Sequence, residues 1–375
     1  MKIRKSNFEL MRIVSMFFIV LFHIIGHGNL LDENRYGNQT IFVFFKFIYL
    51  IIIVHVNSFV LLSGYFQSNK EFKLNKLLSI VNSTIFYRVI ILIVFCVLGY
   101  LNITAVNILR SIFPIPVTEY WFMQCYLLLY MLSPFINKLI EKMDKKLYLK
   151  LLFLLFFILC IIPIISNQQI LKNDGFTIHN FVFLYLIGGY LRKYPVKENA
   201  IFSNFSKRAY QITLFLIIFF CVFLNFSLNY TTNYLQNISP FFSELFQGIC
   251  NSQYFYNNPV TIIQVISYFL LFESFDFKST IANKISKYVF GIYLIHDHRE
   301  VREYIYVWLS IKTDKIINSY KFIIYIFICA IIIFVTCFVI EFVRQMIFKF
   351  ISSRKISKKI SNKFYKSVEE ININV

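Results

Sequence analysis

Arg12 and His23 lie eleven residues apart in the first apolar stretch, FELMRIVSMFFIVLFHIIGHG. In a helix that is about three turns, or roughly 16 Å of rise, so both side chains fall on one face at different depths. A guanidinium and an imidazole inside an apolar helix are costly unless they serve a ligand or a reaction. A neutral imidazole near pH 7 can take a proton from a hydroxyl, which is what general-base catalysis of acyl transfer requires. His296 also sits well inside an apolar run and is the second candidate. A carboxylate beside such a histidine would sustain its basicity, and Asp297 and Glu273 are the candidate partners.

Other charged and nucleophilic residues have plainer readings. Glu9 precedes Arg12 by three residues. An i,i+3 ion pair accounts for Arg12 alone, but not for His23 on the same stripe. His27, His55 and His179 read as packed or helix-end histidines. Arg88 lies deep in its run, where it either binds an anion or pairs with a carboxylate such as Glu273. Lys46 reads as an interfacial lysine. Ser63-Gly64 reads as a small-residue helix contact, not a nucleophile elbow.

These residues need helices around them, and the composition supplies helices for a membrane. Hydrophobic residues make up 58% of the 375, aromatics 19% and charged residues 15%, which is too apolar for a soluble domain of this length. Apolar runs that mostly reach the ~20 residues needed to cross a bilayer recur along the chain. They are expected near 8–28, 41–66, 77–100, 121–137, 147–166, 178–191, 209–228, 259–276, 287–309 and 322–343. The first run is too long for a signal-peptide core and reads as a retained span. The fold class expected is an all-α polytopic bundle of about ten transmembrane helices over residues 1–343. A basic tail, 344–375, is expected to lie on the membrane surface.

The net charge of +19 does not point to nucleic acid, because Lys and Arg sit in alternate loops. Assigned by loop, 27 fall on one side and six on the other, which places both termini in the cytoplasm. The long loop 229–258 carries no Lys or Arg, and its aromatics read mainly as an interfacial belt, or else as a carbohydrate-stacking surface. Seven scattered Cys show neither a disulfide framework nor a metal spacing, so no metal is expected. Heavy use of Ile, Lys, Asn, Phe and Tyr resembles the coding bias of an AT-rich bacterial genome. The expected location is a bacterial plasma (inner) membrane.

Four motifs together resemble the membrane-bound acyltransferase-3 family. They are Glu9-Leu10-Met11-Arg12 followed by His23, VNSFVLLSGYF at 56–66, Tyr120-Trp121-Phe122 with LLLYMLSPFINKL, and ISKYVFGIYLIHDH at 285–298. They occur in family order from residue 9 to residue 298. The resemblance implies a bundle of about ten helices. It also implies an acyl-coenzyme A donor, usually acetyl-CoA, taken from the cytoplasm, and a carbohydrate or lipid-linked glycan acceptor. It makes His23 the acyl-transfer base or a transient acyl carrier, with Glu9, Arg12 and His296 completing the catalytic set. Arg12, Lys73, Lys76 and Arg88 are the expected coenzyme-binding residues. Lys73 and Lys76 stand where the family often carries arginines, and lysine binds phosphate as a point charge and not as a fork. The rival readings are a transporter or exporter of lipid-linked glycans and a glycan polymerase. A transporter would not bind acetyl-CoA, and a polymerase would place Arg or His in its outer loop.

Overall fold

A computed structural model describes residues 5–113, 120–165, 174–196, 205–239, 254–311 and 319–353, with the single residues 241, 252 and 317. Among these the secondary structure is helical throughout. The chain is a multi-pass membrane protein. Helices α1 (Ser6–His27), α4 (Leu74–Val97), α7 (Lys145–Ile165), α14 (starting at Tyr320) and the segment Gln39–Gln67 are long and apolar enough to cross a membrane, as is the apolar part of α9 (Lys207–Ile238). The other four expected runs are also helical but are shorter, broken or more polar. They are α6 (Trp121–Lys142), α8 (Ile178–Lys193), α10 (Pro259–Ser274), and the pair α12 (Val289–His296) and α13 (Arg299–Trp308). A short amphipathic α5 (Ala105–Ile112) follows α4, and a short α11 (Thr280–Ile285) precedes α12.

α1 is the hub. It packs on α2 (Gln39–Ile52), α3 (His55–Gln67), α10, α11, α12 and α14, and Met11, Ile24 and Ile25 are fully buried. Helices α4, α7, α9 and α14 lie outside it and turn apolar faces outward. Val97, Phe153, Phe215 and Ile324 are each more than half exposed. An exposed apolar band around an apolar, hydrogen-bonded interior is what a lipid-facing surface requires.

Where helices break, side chains catch the freed carbonyls, as a dry environment demands. The run 41–66 divides at Ile53-Val54. There the Nδ1–H of His55 donates to Ile52 O at 2.7 Å, and Gln264 Nε2 donates to Leu50 O at 3.0 Å. Pro163 cannot donate to Leu159 O, and Asn257 Nδ2 takes that carbonyl at 2.8 Å. Pro134 likewise frees Tyr130 O, which accepts from Ser133 Oγ at 2.7 Å.

Two elements differ from their sequence-based expectation. The loop expected to begin at 229 is helix as far as Ile238, because α9 carries its polar residues Asn229 and Thr232 buried against the bundle. The apolar helix α14 runs through the expected boundary at 343/344 to Ser353; residues 354–375 lie outside the described residues.

Helices α3 and α8 meet backbone to backbone. A Cβ on Gly64 would lie 2.1 Å from Tyr185 O, and one on Gly188 would lie 2.2 Å from Leu61 O. Both glycines are therefore needed for the two backbones to meet. This contact fixes the face of α3 that borders the site.

Candidate active site

One stripe of α1 forms a wall of a cavity of about 800 Å³. Glu9, Arg12, Met16, Ile19 and His23 line it, at spacings of three and four that keep them on one helix face. α3 contributes Phe59, Ser63 and Phe66, and α6 contributes Trp121, Phe122 and Tyr126. One end is basic, ringed by Lys5, Lys70, Lys76, Arg192 and Lys287. The other end is reached at His23, Tyr293 and Asp297. The cavity thus runs the length of the Arg12–His23 stripe.

At the deep end the hydrogen bonds set the tautomers. Ile292 O can only accept, so His296 Nδ1 at 2.7 Å must be its N–H donor. In a neutral imidazole this leaves His296 Nε2 as an acceptor. His23 Nδ1 lies 3.1 Å from that nitrogen and donates to it. The lone pair of His23 is therefore on Nε2. Asp297 Oδ1 is 3.5 Å from His23 Nδ1, where it would stabilise an imidazolium if Nε2 took a proton. Arg302 Nη1 lies 3.3 Å from the same carboxylate oxygen and orients Asp297. His23, His27 and Asp297 bring their ligand atoms within 4.8 Å of one another, a spacing a divalent ion could bridge. Arg302 already supplies a counter-charge to that carboxylate, and His23 Nδ1 is engaged by His296, which leaves Nε2 as the open nitrogen of His23.

Near the basic end Arg12 Nη1 is held by Glu9 Oε1 at 2.6 Å, and its guanidinium lies over the Phe66 ring at 5.5 Å. The ion pair and a place on the cavity wall coexist: Glu9 aims Arg12 into the cavity. Lys76 lines the cavity and Lys73 does not. Lys73 is the N-cap of α4, with extended backbone at φ −129°, so its exposed side chain leaves the helical face that Lys76 occupies. Arg88 is buried in α4 and lines a separate, smaller cavity. Glu273 is not beside His23; it accepts from Tyr65 Oη at 2.9 Å, and Arg192 stacks on that tyrosine at 5.3 Å. Among the other histidines, His55 is fully buried and His179 is exposed.

The motifs around the site position it. Tyr120 Oη donates to Leu294 O at 2.7 Å, tying the start of α6 to the helix that carries His296. Asn57 Nδ2 donates to Tyr256 O at 2.7 Å and holds the aromatic residue that closes the cavity beside Trp121. On the far side of α12, a Cβ on Gly291 would lie 2.3 Å from Glu341 Cδ. Glu341 is buried, receives two bonds of 2.7 Å from Arg344, and accepts from Tyr87 Oη. This pair anchors α14 against α12 through the missing side chain of Gly291. Sequence reasoning did not single out Arg192, Lys287, Lys5 or Lys70 as cavity residues, because their loops were read only for membrane orientation.

A family model described as an acyltransferase domain matches residues 5–342, so the chain belongs to the membrane-bound acyltransferase-3 family. It is an acyltransferase embedded in a membrane. No curated protein and no solved structure matches the chain.

Proposed function

We propose that the protein is a membrane O-acetyltransferase that takes an acetyl group from cytoplasmic acetyl-CoA and transfers it to a hydroxyl of a cell-surface polysaccharide or its lipid-linked precursor. The observation that carries this reading is the single cavity joining a ring of five cations to the Nε2 lone pair of His23. Coenzyme A is polyanionic at one end and a thin thioester arm at the other. Lys5, Lys70, Lys76, Arg192 and Lys287 suit the phosphates. The apolar walls from Phe66 to Trp121 suit the arm, and Arg12 stands between the two. The loops bearing these cations belong to the lysine-rich set, which supports donor entry from the cytoplasm of a bacterial plasma membrane.

In this mechanism His23 Nε2 takes the proton of the acceptor hydroxyl as its oxygen attacks the thioester carbonyl. Asp297 and His296 hold the resulting imidazolium. The tetrahedral intermediate collapses, the C–S bond breaks, and His23 returns its proton to the departing thiolate. The product is an acetyl ester and free coenzyme A, with no net proton change.

The test is acetyl transfer from labelled acetyl-CoA in membranes with and without the chain, using extracted surface glycan as acceptor. Label in alkali-labile glycan ester only when the chain is present supports the reading. Label that never leaves acetyl-CoA, with glycan and donor both saturating, contradicts it. Transfer from a long-chain acyl-CoA in preference to acetyl-CoA corrects the donor alone.

A further inference from the structure

A second cavity of about 240 Å³ lies between α4, α5 and α13. It borders the first across a single turn, since Asp297 lines the first cavity and its neighbour His298 lines the second. Its walls bring together Arg88, Arg110 and Arg299 with Glu300 and Glu303. Arg299 Nε is 3.1 Å from Glu303, and His298 Nδ1 is 2.7 Å from Glu300. Three arginines against two glutamates leave one positive charge in excess on the lining.

Beside it stands an aromatic platform. Tyr304 lines the cavity and packs on Tyr100 at 4.5 Å and on Trp308 at 6.0 Å. Tyr100 and Trp308 are each about half exposed, at 43% and 54%. Guanidinium forks recognise carboxylate or phosphate, and adjacent flat aromatics cover the apolar face of a sugar ring. The volume falls below the roughly 300–1,000 Å³ of a drug-sized ligand site, so it suits one ring and not a chain. The cavity lies farther along α4 than the basic mouth, with Arg88 past that helix's midpoint and Leu101 beyond its far end.

We infer that the second cavity binds an acidic sugar residue of the acceptor, adjacent to the residue that is acylated over His23. The inference rests on the acyltransferase reading above for its acceptor, and it adds the acceptor's charge. Arg110 holds the anionic group, with Arg299, steadied by Glu303, adding its charge beside it; Asn107 Oδ1 and Ser111 Oγ accept from hydroxyls, their donors being taken by Asn102 O and Asn107 O, and Tyr304 covers the ring.

The experiment uses the full chain in lipid nanodiscs, with binding read by calorimetry. The probes are methyl β-glucuronide, the methyl glycoside of N-acetylneuraminic acid, glucose 6-phosphate and their neutral counterparts. Acetyl-CoA binding is measured on the same samples. The expected result is that at least one acidic probe binds roughly tenfold or more tightly than its neutral counterpart. The preference is lost in Arg110→Gln and Arg299→Gln, while acetyl-CoA binding is unchanged. Arg299→Lys should restore part of it. Equal binding of acidic and neutral probes overturns the inference, as does a preference that survives both substitutions. Inorganic phosphate binding as tightly as any sugar probe also overturns it, because the site would then be an anion site with no sugar selectivity. Failure of the acyltransferase reading would appear separately, as a wild-type chain that does not bind acetyl-CoA.

Discussion

His23 Nδ1 and His296 Nε2 lie 3.1 Å apart, joining residues 273 positions apart in sequence, and this hydrogen bond leaves the His23 lone pair on Nε2. In the proposed mechanism His296 would be a positioning residue, fixed in turn by the carbonyl of Ile292. His296→Ala should lower kcat by roughly 10- to 100-fold, the usual cost of losing a partner that orients a histidine. KM for acetyl-CoA should hold, and the acidic limb of the pH–rate profile should move. A kcat loss with an unmoved pH profile would assign His296 a packing role only.

The basic end predicts a different kinetic signature. Arg12→Gln and Arg192→Gln should each raise KM for acetyl-CoA by about tenfold with a smaller change in kcat, since they remove donor binding and not proton transfer. The effect should shrink as salt rises, because these cations face the open end of the cavity. Lys73→Gln should be close to silent, whereas Lys76→Gln should not. Equal effects from the two lysines would contradict the placement of Lys73 at the helix cap.

Occupancy of the cavity by the coenzyme arm can be read without turnover. A cysteine introduced at Ile19, between Arg12 and His23, should react with a small membrane-permeant maleimide and be protected by coenzyme A. Protection absent at saturating coenzyme A would separate the cavity from the donor path.

The α3–α8 contact predicts a stability effect. Gly188→Val places side-chain atoms against Leu61 O and should destabilise the folded protein by about 1–3 kcal/mol or more. Gly26→Ala, where a Cβ meets nothing within 4 Å, is the matched control. Thermal unfolding in detergent should separate the two variants by several degrees.

Much of the site was legible because α1 is one continuous helix. The Glu9, Arg12 and His23 stripe follows from spacing alone, and the Ser63-Gly64 contact follows from residue size. That His296 orients His23 was one of three roles open in the sequence, with a second base and an acceptor contact; the choice depends on how α12 docks between α1 and α14. Asp297 was readable as a partner and Glu273 was not excluded; only the packing that sends Glu273 to Tyr65 separates them. Lys73 and Lys76 share a helical spacing, and the backbone turn at the cap puts them on different faces. The placement of Arg88 was open between an anion site and a structural pair. Its place in the second cavity depends on α5 and α13, which meet α4 only in the folded chain.

The most direct measurement is single-turnover acetyl transfer by His23→Ala and wild type in the same nanodiscs, with acetyl-CoA affinity measured on each sample. The account predicts that the variant binds acetyl-CoA as wild type does and transfers roughly 10²–10⁴-fold more slowly, the usual contribution of a general base. Transfer by His23→Ala at the wild-type rate, from a fully bound donor, would contradict it.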